Sequence, residues 1–239
     1  MQAIKNFFGM IMAMIYKTIS GTGTEPEMIS YFAITILIIT VLFKLLTIPV
    51  TLSSIRTQKI NEKMGPEMKE IQKKYKNDPQ TQQRKLAELH QKYGFNPLAG
   101  CLPMIIQMVL IIALFGVMRE PEHYMFGGQN IDHIAKNFFW IKDLSNPDPY
   151  WFGLPLINGI SQFLFASMTM PKAKPDEDNP AAGMGSTMRY MMPIMIFIFA
   201  RQYTAGLALY WAFSNMIELL IRTVIKISNQ DDDVVIQKG

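Results

Sequence analysis

The sequence predicts an all-α polytopic membrane protein: five transmembrane helices, a cytoplasmic helical hairpin and an N-terminal interfacial helix. Three observations carry that class. Long apolar blocks alternate with blocks that are nearly all polar, and only 18% of the 239 residues are charged, below the roughly 25% of a soluble domain. Five of the apolar runs approach the length of about 20 residues that crosses a bilayer. Lysine and arginine gather in one interspan segment, as the positive-inside rule requires of a cytoplasmic loop.

Residues 1–27 open with "MQAIKNFFGMIMAMIYKTIS", read as an amphipathic helix at the outer membrane surface, followed by an exposed linker. An uncleaved or trimmed signal segment is the alternative. The first span covers 28–52 and contains one charge, Lys44. Segment 53–96 is polar. In it Pro66 suits the first turn of a helix, Met64, Met68, Ile71 and Tyr75 form one apolar stripe, and "NDP" at 77–79 marks a turn. A second helix from Gln80 to Tyr93, with Leu86, Leu89 and Tyr93 on one face, completes a hairpin.

The second span is 97–118. An external loop, 119–149, follows, with turn chemistry in "FGGQN" and "SNPDP" and interfacial aromatics at Phe138, Phe139, Trp140, Tyr150 and Trp151. The third span is 150–170, a mobile cytoplasmic loop 171–187, the fourth span 188–203 between Arg189 and Arg201, the fifth 206–227, and a polar cytoplasmic tail 228–239 carries "DDD". Segment 53–96 holds ten basic residues against three in the external loop. That asymmetry places the N-terminus outside and the C-terminus in the cytoplasm. The short 201–206 link makes spans four and five a tight antiparallel hairpin.

Catalysis is excluded as the main function. There is no HExxH, GxSxG or glycine-rich phosphate loop, and no metal or cofactor is expected. The single Cys101 leaves no disulfide framework or zinc cluster, and His123 and His133 read as surface residues.

Polar groups inside spans are the informative feature. Lys44 lies six residues from Val50, about 9 Å along a helix, so its ammonium is able to snorkel to the headgroups. Glu218, the acidic residue deep in span five, lies at a comparable depth. It can pair with Arg222 one turn below or with Lys44 across the bundle. Gln107, Gln162 and Asn215 add polar side chains to spans two, three and five, and together these imply a hydrated interior. The 19 methionines, Met184, Met188, Met191, Met192 and Met195 among them, read first as flexible core filler and second as an adaptable apolar surface.

With these pieces in place, the chain resembles the YidC family of membrane-protein insertases over about residues 28–228. The likeness rests on "LLTIPVTLSS", on "KINEKMGPEMKEIQKKYKNDP" running on to "KYGFNPLAGCLPMIIQM", on "MMPIMIFIF" and on "AGLALYWAFSN". It implies five helices around a hydrophilic groove that is open to cytoplasm and lipid. It places a groove cation at Lys44, where the family carries arginine five residues before the matching Pro49. Gln107, Gln162, Trp211, Asn215 and Glu218 are expected to line the groove. Hairpin residues Lys63, Lys69, Lys73, Lys74, Arg84 and Lys85 are expected to meet the client or the ribosome.

The implied function is a membrane protein insertase and chaperone acting without ATP. Its clients would be nascent membrane proteins such as the ATP synthase c subunit. The Sec translocon, the ribosome and the signal recognition pathway are the implied partners, in the lipid bilayer and with no direct nucleic-acid specificity. The absence of a large extracytoplasmic domain suggests the short form typical of Gram-positive bacteria. A transporter or channel subunit is the runner-up function, although no internal repeat supports it.

Overall fold

The computed structural model describes residues 2–95, 97–170 and 180–237. Among these residues there are nine α-helices and no named strand: α1 (Gln2–Ser20), α2 (Tyr31–Leu46), α3 (Ile48–Lys74), α4 (Pro79–Tyr93), α5 (Pro97–Arg119), α6 (Pro121–Met125), α7 (Leu154–Thr169), α8 (Pro180–Ala200) and α9 (Ala205–Gln237). Stretches Leu102–Arg119 and Ala205–Ser228 are each long and apolar enough to cross a membrane, and the bent pair α2–α3 passes jointly. The 16-residue α7 is about 24 Å long at about 1.5 Å per residue.

The first apolar run does not stay straight to residue 52. α2 starts at the N-cap Ser30, whose hydroxyl accepts from the Ala33 amide at 3.2 Å, and it stops at Leu46. α3 leaves at a 57° bend and continues to Lys74. Two local causes meet at the break. Pro49 cannot donate to the carbonyl four residues back, and the Thr47 hydroxyl folds onto the Phe43 and Lys44 carbonyls at 2.9 and 3.2 Å. Pro66 likewise does not open a helix but lies inside α3. It is exposed there, so water can serve the carbonyl it leaves free.

The hairpin expected from apolar periodicity is α3 packed on α4. Asp78 caps α4 by accepting from the Thr81 amide at 3.1 Å, and Gly94 closes it at φ +60°. Met64 on one arm and Leu89 on the other are buried. Across the hairpin Glu67 accepts from the Lys92 ammonium at 2.7 Å and from the Tyr93 hydroxyl. Lys92 foremost, then Tyr93, holds the Glu67 carboxyl below its ordinary value. Thr81 does the same for Asp78, and Lys85 for Glu88. A carboxyl depressed in the folded state adds stability above its unfolded pKa and loses it as pH falls through the folded value. Spin labels on α3 and α4 are therefore expected to hold one distance at neutral pH and to separate as the pH drops below 4.5, the ordinary glutamate value. Glu67→Gln should show the wider distribution at neutral pH already.

α1 buries one face on protein. Phe8 and Met12 enter the main core beside Phe32, Ile36, Ile39, Leu114, Val117 and Ala208. Phe8 stacks on Phe43 at 4.6 Å and Tyr16 meets Phe126 edge-on at 5.2 Å. Gly9 is required at the crossing, because a Cβ there would strike the Tyr124 carbonyl. Phe7, Met10 and Met14 remain exposed on the other side.

The four-residue link between α8 and α9 is present, but the expected tight pairing of those helices is not. α8 packs chiefly on α7, and α7 in turn packs on α9. Gly159 of α7 lets the two helices approach, since a Cβ there would come within 3.3 Å of Phe197. Arg189 locks the same pair by donating to the Ser167 and Met170 carbonyls at 3.1 and 3.0 Å, near the end of α7. α8 begins at Pro180, inside the stretch read as a loop, and α9 continues helical to Gln237 through the stretch read as a tail. Residues 171–179 of that loop lie outside the described residues, as do the side chains of Met184 and Met188.

The long connection between α5 and α7 ties together one end of the bundle. The Phe139 amide donates to the Met28 carbonyl at 2.7 Å, the Ser30 amide to Asn137 at 3.0 Å, and the Ala205 and Gly206 amides to Asn146 and Leu144 at 2.7 and 2.8 Å. Asp148 is buried within it and accepts from the Tyr150 and Leu154 amides and the Trp140 indole.

Candidate functional site

α9 carries Trp211, Asn215, Glu218 and Arg222 at spacings of four, three and four, which sets all of them on one stripe. α3 presents Thr51, Ser54 and Gln58 in the same manner, and the break at Thr47 turns that face toward α9. α2 ends with Lys44 in its last turn. The three helices therefore converge on a single carboxylate.

Glu218 is 7% exposed and bridges two cations. Lys44 Nζ donates to its Oε2 at 3.1 Å and Arg222 Nε to its Oε1 at 3.0 Å. The Thr51 hydroxyl lies 3.3 Å from both oxygens. Arg222, itself 7% exposed, donates further to the Ser54 hydroxyl at 3.2 Å and stacks over the Phe165 ring at 5.5 Å. The alternatives of pairing with Arg222 or with Lys44 are thus both realised. Two cations and one carboxylate leave the cluster a formal net charge of +1. In an interior of low dielectric such a group survives only because every charge is hydrogen-bonded.

The other polar residues of the spans are brought together in a different way. Gln162 accepts through one oxygen from the Trp211 indole at 3.2 Å and the Asn215 amide at 3.1 Å, and Asn215 also reaches Ser161 at 3.3 Å. Gln162, Trp211 and Asn215 therefore form a hydrogen-bonded seam between α7 and α9, further along the stripe that carries Glu218. Asn158 extends the seam by donating to the Ala208 carbonyl at 2.9 Å. Gln107 stands apart on α5 and donates to the Tyr210 hydroxyl at 3.1 Å.

Arg56 is exposed on another flank of α3. It lines a cleft of about 670 Å³ with Pro49, Leu52, Ser53, Ile55, Lys59 and Ile225. On the hairpin, Lys63, Lys69, Lys73, Lys74 and Arg84 are exposed, and Lys85 is half-buried against Glu88 at 2.6 Å. His123 and His133 are exposed.

Sequence reasoning missed Thr51, Ser54 and Gln58, as well as Asp148. The first three had a signal in their three- and four-residue spacing just after Pro49. Ser54 and Gln58 lie in the segment 53–96 read as the cytoplasmic hairpin, and Thr51 lies inside the first apolar span. Asp148 had only the ordinary appearance of a turn aspartate before proline.

These features define an all-helical integral membrane protein with an ion-paired polar cluster buried among its helices. The chain belongs to the 60Kd inner membrane protein family, whose model matches residues 25–232; the family is one of non-enzymatic membrane insertases. It is 33% identical over 198 residues to the membrane protein insertase YidC of Fusobacterium nucleatum, covering 83% of this chain and 87% of that one. It is 34% identical to the protein of the same name from Clostridium tetani, with 91% and 89% covered. The membrane protein insertase MisCA of Bacillus subtilis is 34% identical, with 82% and 70% covered. Among solved structures it resembles an active YidC insertase whose first transmembrane domain is resolved. The TM-score is 0.54 at 26% identity; 80% of this chain and 41% of that chain are covered.

Proposed function

We propose that this protein inserts and helps fold small membrane proteins through a hydrophilic groove whose cation is Lys44. In this reading the α2–α3 bend, α5, α7, α8 and α9 make five spans, with the N-terminus outside and the hairpin and C-terminus in the cytoplasm. α1 rests at the outer interface with its exposed Phe7, Met10 and Met14 toward lipid. The observation that carries the reading is the buried Lys44–Glu218–Arg222 cluster, a net positive site in the half of the bundle nearest the hairpin.

A client's short polar segment loses hydration on entering a bilayer, at a cost of several kcal/mol per unpaired group. Hydroxyls, amides and a cation in the groove lower that cost. The client's apolar segment then transfers into lipid beside α7 and α9, and the hydrophobic effect drives the step. The exposed cations of the hairpin would receive clients from the ribosome, the signal recognition pathway or the Sec translocon.

The experiment is rescue. A cell depleted of its own insertase and supplied with this chain is expected to insert a small client such as the ATP synthase c subunit. Normal expression without rescue would refute the reading. In the same assay Lys44→Ala should lower insertion of clients with an acidic polar segment about tenfold, the worth of one charge-assisted hydrogen bond. Clients with an uncharged segment should change less than about twofold, and Lys44→Arg should retain activity.

A further inference from the structure

The two cations on Glu218 are held unequally. Arg222 is fixed on several sides: Nε on Glu218 at 3.0 Å, one Nη on Ser54 at 3.2 Å, and the guanidinium over Phe165. Lys44 has Glu218 as its one ion-pair partner among the described residues, and its side chain stays 14% exposed. Glu218 also has a reserve of partners. If Lys44 turns away, the carboxylate keeps Arg222 and the Thr51 hydroxyl.

From this asymmetry we infer that Glu218 is a built-in stand-in for a client carboxylate, and that acidic clients are bound by exchange at Lys44. In the resting protein Glu218 occupies the Lys44 ammonium. An aspartate or glutamate in the client's polar segment takes that ammonium, while Arg222 and Thr51 retain Glu218. Charge sets the selectivity. The cluster holds two cations and one carboxylate, so one client carboxylate brings it to neutrality. A second would leave a net negative charge in a poorly solvated site, which opposes its entry. The site thus prefers segments with one acidic residue over those with none, and gains nothing from two.

This inference rests on the proposed client binding, and its test is a binding measurement kept separate from insertion. The full chain in lipid nanodiscs is titrated with a fluorescent synthetic single-span peptide whose polar tail carries zero, one or two aspartates. The deciding variant is E218Q/R222Q. It removes one negative and one positive charge, so the net charge stays at +1 while Lys44 loses its internal partner. The exchange model expects the one-aspartate preference to rise about tenfold over the parent. E218Q alone, with a net charge of +2, should move the optimum from one aspartate to two.

Thr51→Val should act in the opposite sense, holding Glu218 on Lys44 and bringing the preference close to one; it decides the matter if the charge variants fail to fold. A folded E218Q/R222Q protein with the parent's preference, or an unchanged Thr51→Val, overturns the inference. Parent protein that shows these binding preferences yet inserts no peptide above empty vesicles would instead remove the insertase reading and leave the exchange intact.

Discussion

Glu218→Leu is expected to lower the unfolding free energy by about 3–5 kcal/mol, the cost of stranding buried charges without their partner. The substitution leaves Arg222, 7% exposed, with only hydroxyl and amide neighbours and an aromatic face. Lys44 suffers less, because its longer aliphatic stem lets the ammonium move toward water. Lys44→Met should therefore cost only about 1.5–3 kcal/mol, the worth of one charge-assisted hydrogen bond, since Glu218 keeps Arg222 and Thr51. Replacing Lys44, Glu218 and Arg222 together by apolar residues should recover most of the loss of the single glutamate change. Denaturant unfolding of the detergent-solubilised chain measures all of these. Equal costs for Glu218→Leu and Lys44→Met would contradict the expectation that the first strands buried Arg222 while the second leaves Glu218 paired.

Asp148→Ala is expected to cost about 3 kcal/mol, combining a helix N-terminal cap with a charge-assisted buried acceptor. Asp148 is 7% exposed and accepts from the Tyr150 amide at 2.9 Å, the Leu154 amide at 2.7 Å and the Trp140 indole at 3.2 Å. Alanine leaves those donors without their buried acceptor, the Leu154 amide in a buried position. Asp148→Asn keeps one acceptor oxygen and should cost about half as much. Gly153→Ala should act at the same place, because a Cβ would collide with the Asp148 carboxylate and the Trp140 indole. Unfolding midpoints check these costs. With Trp151 and Trp211 replaced by phenylalanine, Trp140 emission should change in Asp148→Ala as its indole loses the Asp148 acceptor, while the helical signal of the rest of the chain remains.

Much of the architecture was legible locally. The hairpin followed from periodicity and turn residues alone, because Met64 and Leu89 face a neighbour only a short chain distance away. The break at Thr47 was less legible. Pro49 announces a disruption, but an apolar run reads the same whether it crosses straight or turns. The missed cluster residues Ser54 and Gln58 follow from that error, for a straight span ending at residue 52 would have carried them out of the bundle. The pairing of α8 with α7 was hidden for a different reason. A short link makes two helices adjacent in sequence but cannot state which flank of each holds the small residue, here Gly159, that permits close approach.

What the sequence by itself determined was the class of protein, the family, and the heights of Lys44 and Glu218 along their helices. Height follows from counting residues at a fixed rise. What only the tertiary structure decided was azimuth: which way each helix is rotated, and so which polar groups meet. Lys44 and Glu218 stand 174 positions apart in the chain, and no local rule couples their orientations. Ala205, Ala208 and Ala212 of α9 are buried in the bundle, and with α9 so rotated one carboxylate faces Lys44 and Arg222 together. The cation singled out in the sequence is therefore already engaged in the folded protein, one member of a cluster with a net charge of +1.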